Sequence, residues 1–186
     1  MSATNPGAAY RGAFSLSEQP LDLAALRASL ADLHCGGYAA FEGWVRNHNE
    51  GQQVLRLEYE AFAALCHSEG ERILAEARAR FGVQGVVCAH RVGSLALGDV
   101  AVFVAAAAAH RDEAFRACRH VIDEVKHRLP IWKKEHYVSG DSGWVNCERC
   151  ATAHDGHGHG HGHDHDHDHD PGPAGKIPGD HTHDHE

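Results

Sequence analysis

The chain has 186 residues, of which 42% are hydrophobic, and its net charge is −9. This length suits a single domain, and no apolar run approaches the ~20 residues that a membrane-spanning helix needs. Residues 151–186 hold eight acids and one base, so residues 1–150 are nearly neutral, with 18 acids and 16 bases, which argues against charge-driven nucleic-acid binding.

Composition divides the chain into three segments. Residues 1–20 lack the basic and apolar stretches of a secretory signal and are predicted to be flexible, so we expect a cytosolic protein with reduced cysteines. Residues 21–150 are predicted to fold. Residues 151–186 alternate His, Gly and Asp, a pattern that cannot bury a core and is typical of disorder.

The first half of the folded segment predicts helices and strands in alternation. A helix begins at the N-cap Asp22 and ends before Gly36, with the apolar stripe Leu23, Leu26, Leu30 and Leu33. A strand over 38–45 and a polar loop over 46–51 follow. The next strand alternates an apolar set, Leu55, Leu57 and Tyr59, with a polar set, Arg56, Glu58 and Glu60. A second helix covers 63–80, with an expected pair between Glu76 and Arg80 and an apolar side of Cys66, Gly70, Ile73, Ala77 and Phe81.

The second half predicts two strands, over 86–92 and 100–109, and then a third helix. The alanines of 100–109 favour helix, but its branched residues favour a central strand buried on both faces. The third helix ends at Pro130 and carries the stripe Phe115, Cys118, Ile122, Val125 and Leu129. Short strands at 131–138 and 144–147 complete an α+β fold, a mixed, largely antiparallel sheet with packed helices.

Three clusters of basic residues stand out from this nearly neutral body: Arg46 with His48, His110 with Arg111, and Lys126 with Lys133 and Lys134. Taken singly, each base is usually a solvated surface charge. His110 and Arg111, however, lie where a buried strand ends and a helix begins, a place that attracts anions. Arg111 offers a planar fork for a phosphate, whereas His110 has the alternative role of capping the helix.

The two lysines nearest Pro130 are candidates for chemistry. Lys126 follows Ile122 by four residues, so it lies at the edge of the apolar stripe. Desolvation at such a position can lower the pKa of an amine, which makes it useful as an acid, a base or a nucleophile. Lys133 comes just after Pro130 among large apolar groups. The alternative is that both side chains simply extend their amines to water.

The spacing along the third helix separates these candidates. Arg111 and Lys126 are fifteen positions apart, about 22 Å at ~1.5 Å per residue, too far for one small substrate. They belong either to two sites or to one site shared across an isologous dimer. We predict the shared site, with His110 and Arg111 arriving from the neighbouring chain.

These residues belong to motifs that resemble the catalytic subunit of molybdopterin synthase. The motifs occur in the family's order over roughly residues 37–145. They are Gly43-Trp44-Val45-Arg46-Asn47-His48-Asn49, His90-Arg91-Val92-Gly93, Gly98-Asp99, Ala109-His110-Arg111 and the segment from Lys126 to Lys134.

The resemblance implies an α/β hammerhead fold and a homodimer flanked by two small ubiquitin-like sulfur carriers that end in a Gly-Gly thiocarboxylate. It implies transfer of two sulfurs to cyclic pyranopterin monophosphate, giving the dithiolene of molybdopterin, with no required cofactor. By motif, Lys126 and Lys133 match the essential lysines. The implied substrate-binding residues are Trp44, Val45, Arg46, His110, Arg111, Lys134 and Glu135.

The segment after Cys150 holds eleven of the 19 histidines. Imidazole at this density binds Zn, Ni or Cu, and the expected weak ligands are His157, His159, His161, His163, His165, His167 and His169. No metal site is predicted in the folded body, because Cys147 and Cys150 supply only two of the about four ligands that a structural zinc needs. Two rival interpretations stay open: a metal-binding or storage protein acting through this segment, and a non-catalytic pterin-phosphate binder.

Overall fold

The computed structural model describes residues 11–146 of the chain. The predicted disorder of 151–186 and the end of the predicted strand at Cys147 lie outside the described residues. The helices are α1 (Leu23–Ala28), α2 (Ala63–Phe81) and α3 (Arg111–Arg128). The strands are β1 (Phe14–Ser17), β2 (Gly37–Trp44), β3 (His48–Asn49), β4 (Gln52–Ala61), β5 (Gly85–Arg91), β6 (Gly93–Ala96), β7 (Val100–Ala108), β8 (Ile131–Tyr137) and β9 (Ser142–Asn146).

The strands form two sheets rather than the single sheet expected. The first has the order β1-β5-β7-β2 and is antiparallel except for the β1–β5 pair. The second has the order β3-β4-β8-β9, with β6 also paired to β4, and all of its pairs are antiparallel. The prediction of an α+β fold is confirmed, and no helix of residues 11–146 is long and apolar enough to cross a membrane.

Strand β7 forms the centre of the first sheet, as its apolar run predicts. Its residues alternate between two apolar clusters on opposite faces. Val104 and Ala106 pack with α2 and α3, whereas Phe103 and Ala105 pack with the segment around α1. Small alanine side chains let the elements on both faces approach the strand closely.

Strand β1 falls inside the segment that was predicted to be flexible, so the boundary at residue 21 is wrong. Phe14 pairs with Cys88 of β5, and its backbone N–H donates to Glu71 of α2. A Cβ added to Gly70 would lie only 2.3 Å from the Phe14 ring. The apolar side of α2 therefore uses a glycine to seat this edge strand.

Helix α1 begins as expected, because the Asp22 carboxylate caps the N–H of Ala25 at 2.9 Å. It ends at Ala28, well before the predicted stop at Gly36. Leu30 is buried but Leu33 is fully exposed. The helical spacing of leucines in the sequence extends past the end of α1, but Leu33 does not pack against the core.

Two further expectations on apolar faces were wrong. Strand β4 has a register shift between Val54 and Arg56, so Val54 and Leu57 are buried while Leu55 is exposed. An extra residue in one strand reverses which side chains face the core. On α3, Phe115 is also exposed, and Val121 takes part in the buried stripe.

Helices α2 and α3 are joined by an ion-pair network that differs from the predicted Glu76–Arg80 pair. Arg128 of α3 contacts Glu76 at 2.6 Å and Glu69 at 2.5 Å, both on α2, and Glu124 on its own helix at 3.1 Å. The carboxylates hold the last turn of α3 against α2. This fixes the end of α3, where Lys126 lies.

Candidate active site

A pocket of about 660 Å³ opens between the end of α3, the second sheet and strand β2. Lys126, Lys133, Arg46, Trp44 and Glu135 line it. Five of the nine site residues predicted from the sequence therefore share one pocket. Such a volume is in the range of small-molecule sites.

The two lysines reach the pocket from different elements. Lys126 lies in the last turn of α3 and is partly exposed. Leu129 leaves the helix with an extended backbone, φ −78° and ψ 133°, and β8 begins at Ile131. Because strand residues alternate in direction, Lys133 points inward with Ile131 and Glu135.

Lys133 and Glu135 form a buried ion pair on β8. The Lys133 Nζ lies 2.7 Å from Glu135 Oε1, and only 11% and 3% of the two side chains are exposed. Burial alone would raise the pKa of Glu135, but hydrogen bonds from Lys133, Tyr137 and Asn49 outweigh it and lower the pKa. The carboxylate is therefore ionised inside the pocket.

The β3–β4 hairpin brings Arg46 and Asn49 to the same place. Its two turn residues, Glu50 and Gly51, have φ of 46° and 79°, as a tight two-residue hairpin requires. Arg46 donates through Nη2 to Asn49 Oδ1 at 2.6 Å, and Asn49 donates through Nδ2 to Glu135 Oε2 at 2.9 Å. A continuous set of contacts thus runs from the exposed Arg46 to the buried Lys133.

The segment before Arg46 is held by residues of two motifs quoted above, Gly98-Asp99 and His90-Arg91-Val92-Gly93. Val45 is buried, its N–H donates to Asp99 O at 2.9 Å, and its carbonyl accepts from Gly98 at 2.8 Å. Asp99 in turn pairs with the buried Arg91 at 2.8 Å. Val45 does not line the pocket; its contacts fix the start of the loop that carries Arg46.

His90 also lines the pocket and is buried on β5. Its Nδ1–H donates to the Arg91 carbonyl at 2.7 Å, which leaves Nε2 as the acceptor. Burial lowers the pKa of His90 to about 4, and the nearby Lys126 acts in the same direction. The ring is therefore neutral at physiological pH, and it meets Tyr59 edge to face at 5.1 Å.

Three predicted residues lie away from this pocket in the single chain. Lys134 points to the other face of β8, where its amine lies 5.4 Å from the centre of the Trp144 ring. His110 and Arg111 are exposed at the start of α3, at the end of the helix opposite Lys126. His110 is the N-cap residue, but its side chain makes no capping hydrogen bond.

The cysteines of the described segment take no part in the pocket lining. Cys66 and Cys118 are buried in the core, as predicted. Burial raises the pKa of each thiol to about 11, which makes them poor nucleophiles.

Sequence reasoning missed Asn49, Tyr137 and His90 as site residues. The alternation of β8 carried a signal for Tyr137, since it follows Lys133 and Glu135 at every second position. Asn49 and His90 belong to quoted motifs, but only the folded hairpin and the buried end of β5 show that they face the pocket.

Comparisons with known proteins agree on one family. The model of the MoaE protein family matches residues 16–128. The molybdopterin synthase catalytic subunit of Synechococcus elongatus is 44% identical over 140 residues, which cover 74% of this chain and 85% of the relative. The crystal structure of molybdopterin synthase from Staphylococcus aureus matches with a TM-score of 0.66 and 29% identity, covering 70% of this chain and 94% of that one.

A more distant structure has the same fold. It is a protein-protein complex of subunits 1 and 2 of the molybdopterin-converting factor from Helicobacter pylori, with a TM-score of 0.60 and 21% identity. The match covers 71% of this chain and 89% of that chain. Family model, sequence relatives and fold agree, and the chain belongs to the MoaE family of molybdopterin synthase catalytic subunits.

Proposed function

We propose that this chain transfers two sulfurs from a thiocarboxylated carrier protein to cyclic pyranopterin monophosphate, forming the dithiolene of molybdopterin. The observation that carries the proposal is the meeting of Lys126 and Lys133, from α3 and β8, with Arg46 in one pocket. Family membership supplies the biosynthetic context. The roles of the individual residues follow from their chemistry and position.

Two cationic amines suit this reaction. When the thiocarboxylate sulfur attacks the pterin, negative charge passes to the oxygen that it displaces, as when the cyclic phosphate opens. Water then cleaves the acyl–sulfur bond and returns the carrier as a carboxylate. An ammonium in a partly dry pocket can stabilise the displaced oxygen and give it a proton. Lys133 is held by Glu135 and is suited to stabilising charge. Lys126 is partly exposed at the rim and is suited to contact with the incoming carrier terminus.

Arg46 is suited to the substrate phosphate. Its side chain is exposed on the hairpin, so its guanidinium fork can contact phosphate oxygens while Asn49 holds one nitrogen. Trp44, with 67% of its surface exposed at the rim, offers a flat apolar surface for the pterin rings.

The partner is a small ubiquitin-like carrier with a C-terminal Gly-Gly thiocarboxylate. Support comes from the relatives named as catalytic subunits and from the Helicobacter pylori protein, which shares the fold and is found in a complex of two subunits. An extended Gly-Gly terminus is thin enough to reach a buried amine. We propose that it enters the pocket beside Lys126, in the cytosol.

A homodimer with a shared site is part of the proposal. His110 and Arg111 are exposed and about 22 Å from Lys126 along α3, so they can serve a second copy's pocket. Among the described residues the outer edge of β2 has no strand partner, and Tyr38, Phe41 and Trp44 are exposed on this strand. An aromatic surface on an unpaired edge favours contact with another chain.

The direct test incubates the chain with cyclic pyranopterin monophosphate and a thiocarboxylated carrier and measures molybdopterin. We expect Lys126→Ala and Lys133→Ala each to lose at least about 100-fold in rate, the scale of a lost acid, base or charge-stabilising group. Lys176→Ala, a lysine far along the sequence from the motifs, is the matched control. Full activity in both pocket variants would refute the assignment.

The shared site is tested by mixing variants. Arg111→Ala and Lys126→Ala chains are each expected to be nearly inactive. After mixing and subunit exchange, mixed dimers contain one intact pocket, so up to about half of the activity per mixed dimer should return. No recovery, with exchange verified by mass spectrometry, would place all of these residues in one chain's site or in separate sites.

The rival interpretations are not favoured. A metal-storage protein would not need the folded body to match a biosynthetic enzyme family over residues 16–128. A non-catalytic pterin binder would tolerate Lys126→Ala, so the activity test above separates it from the enzyme.

A further inference from the structure

The Glu135 carboxylate has a different set of partners on each oxygen. Oε1 pairs with the Lys133 amine at 2.7 Å. Oε2 accepts from Asn49 Nδ2 at 2.9 Å and from the Tyr137 hydroxyl. One carboxylate oxygen thus contacts Lys133, and two neutral donors hold the other oxygen.

Both donors have a fixed orientation. The Asn49 amide accepts from Arg46 at its oxygen, so its nitrogen must face Glu135. The Glu135 carboxylate raises the pKa of Tyr137, which keeps the phenol protonated as a donor. Neither group depends on a titration near neutral pH to keep its role.

We propose that Asn49 and Tyr137 are positioning residues that act through Glu135, holding its carboxylate so that Oε1 orients the Lys133 ammonium toward the substrate. The inference rests on the function proposed above, because it gives Lys133 its catalytic role. Asn49 and Tyr137 act through Glu135 Oε2, whereas Lys133 pairs with Oε1 of the same carboxylate.

The two donors on Oε2 limit the rotation of the Glu135 carboxylate and keep it charged. A carboxylate with only one partner can turn about its last side-chain bond, and a lysine amine would follow it by an ångström or more, a displacement that costs rate in a preorganised site. Two donors on Oε2 prevent this rotation. They also keep a nearly fully buried carboxylate ionised, and a neutral acid would no longer hold an ammonium.

Other charged and titratable groups line the same pocket as Glu135 or contact its carboxylate, and they can affect its pKa. They are Lys133 and Tyr137 on β8, Arg46, His48 and Glu50 on the hairpin, Glu42 on β2, Tyr59 on β4, His90 on β5 and Lys126 on α3. Within residues 11–146, hydrogen bonds from Lys133, Tyr137 and Asn49 reach its carboxylate.

The first experiment needs no substrate. The pKa of Glu135 is followed by NMR in chain labelled with ¹³C at the glutamate carboxyl carbons, with Glu135→Gln used to assign the signal. Loss of one hydrogen bond to a charged group should make the carboxylate bind its proton at least about 10-fold more tightly in Tyr137→Phe. Ser68→Ala removes a hydroxyl from an exposed position of α2 that does not line the pocket, and it should leave the Glu135 pKa unchanged.

The second experiment measures kcat and KM for molybdopterin formation across pH. Activity needs ionised Glu135, so it falls on the acid side as pH drops through the pKa of that carboxyl. In Tyr137→Phe this acid limb should move to higher pH by the shift seen in the NMR titration, with kcat lowered about 10-fold and KM changed less. Asn49→Asp, which places a second carboxylate beside Oε2, should move it further in the same direction.

A double-mutant cycle separates positioning from general damage. In a Glu135→Gln background, Tyr137→Phe should have little further effect, since there is no carboxylate to hold. Additive losses, or an unchanged Glu135 pKa in folded Tyr137→Phe and Asn49→Asp, would overturn the inference. If the pKa moves as expected but the wild-type chain transfers no sulfur, only the proposed function fails.

Discussion

Lys133 and Glu135 form an ion pair that water barely reaches, so its stability depends on both partners being present. A buried pair contributes little compared with an apolar pair of the same volume, but removing one partner leaves an uncompensated charge. The buried pair therefore carries a cost in stability. Lys126, partly exposed in the same pocket, does not share this cost.

Lys133→Met, which keeps the volume but removes the charge, is expected to lower the free energy of unfolding by about 3 kcal/mol at neutral pH. The lowered pKa of Glu135 makes its stabilising contribution present at neutral pH and lost as pH falls through that pKa. In the variant the carboxyl loses its main partner, so its pKa rises and the penalty is relieved by protonation. The gap between wild type and variant should therefore shrink toward acid pH.

Urea unfolding at several pH values measures this gap. Lys126→Met is the matched control from the same pocket and should cost less than about 1 kcal/mol. A loss for Lys133→Met that is the same at every pH would show that packing, rather than the unpaired carboxylate, causes the destabilisation.

At the scale of elements, long periodic segments were predictable and short or irregular ones were not. Helix α2, helix α3 and strand β7 begin and end within one or two residues of expectation, because each buries a continuous stripe or run. Strand β1 has four residues and pairs with β5 far along the chain, so no local pattern marks it. The register shift near Leu55 is likewise set by pairing with β8 and leaves no periodic signal.

The packing of β1 against α2 at Gly70 predicts how a substitution there changes stability. Gly70→Ala introduces a methyl group where the Phe14 ring already lies, 2.3 Å from the new Cβ. The ring or the strand must move, which outweighs the gain in helix propensity and should lower the free energy of unfolding by about 1–3 kcal/mol. Denaturant unfolding checks this.

Two further variants sharpen the test of the Gly70 contact. Ser68→Ala, at an exposed position of the same helix, is the control and should change stability by less than about 0.5 kcal/mol. Phe14→Ala in the Gly70→Ala background should remove the clash, so the pair should be less than additive. Full additivity would mean that β1 does not pack on this glycine.

For the molecule as a whole, the site was predictable in its parts and not in its assembly. The two lysines and Arg46 were found from motifs, and they share a pocket. The alternation that turns Lys133 inward also turns Lys134 outward, and only the packing of β8 shows which of its faces lines the pocket. Asn49 and Tyr137 required the pairing of two segments that are distant in sequence, which no single-segment pattern contains.

The histidine-rich segment, residues 151–186, gives the last prediction. It lies beyond the matched residues 16–128 and its composition differs from that of the body, so sulfur transfer should not depend on it. A chain ending at Cys150 is expected to keep the kcat and thermal midpoint of the full chain. It should lose the binding of Ni²⁺ or Zn²⁺, since imidazoles at alternating positions are the principal ligands on offer.

Isothermal titration with each metal, on the full and the shortened chain, tests the division of roles. A third chain, in which the seven histidines from His157 to His169 are replaced by asparagine, keeps the length of the segment while removing most of its imidazoles. It should bind metal as weakly as the shortened chain. Equal metal binding by all three would move the metal site into the folded body, and loss of sulfur transfer on shortening would make the segment part of the enzyme.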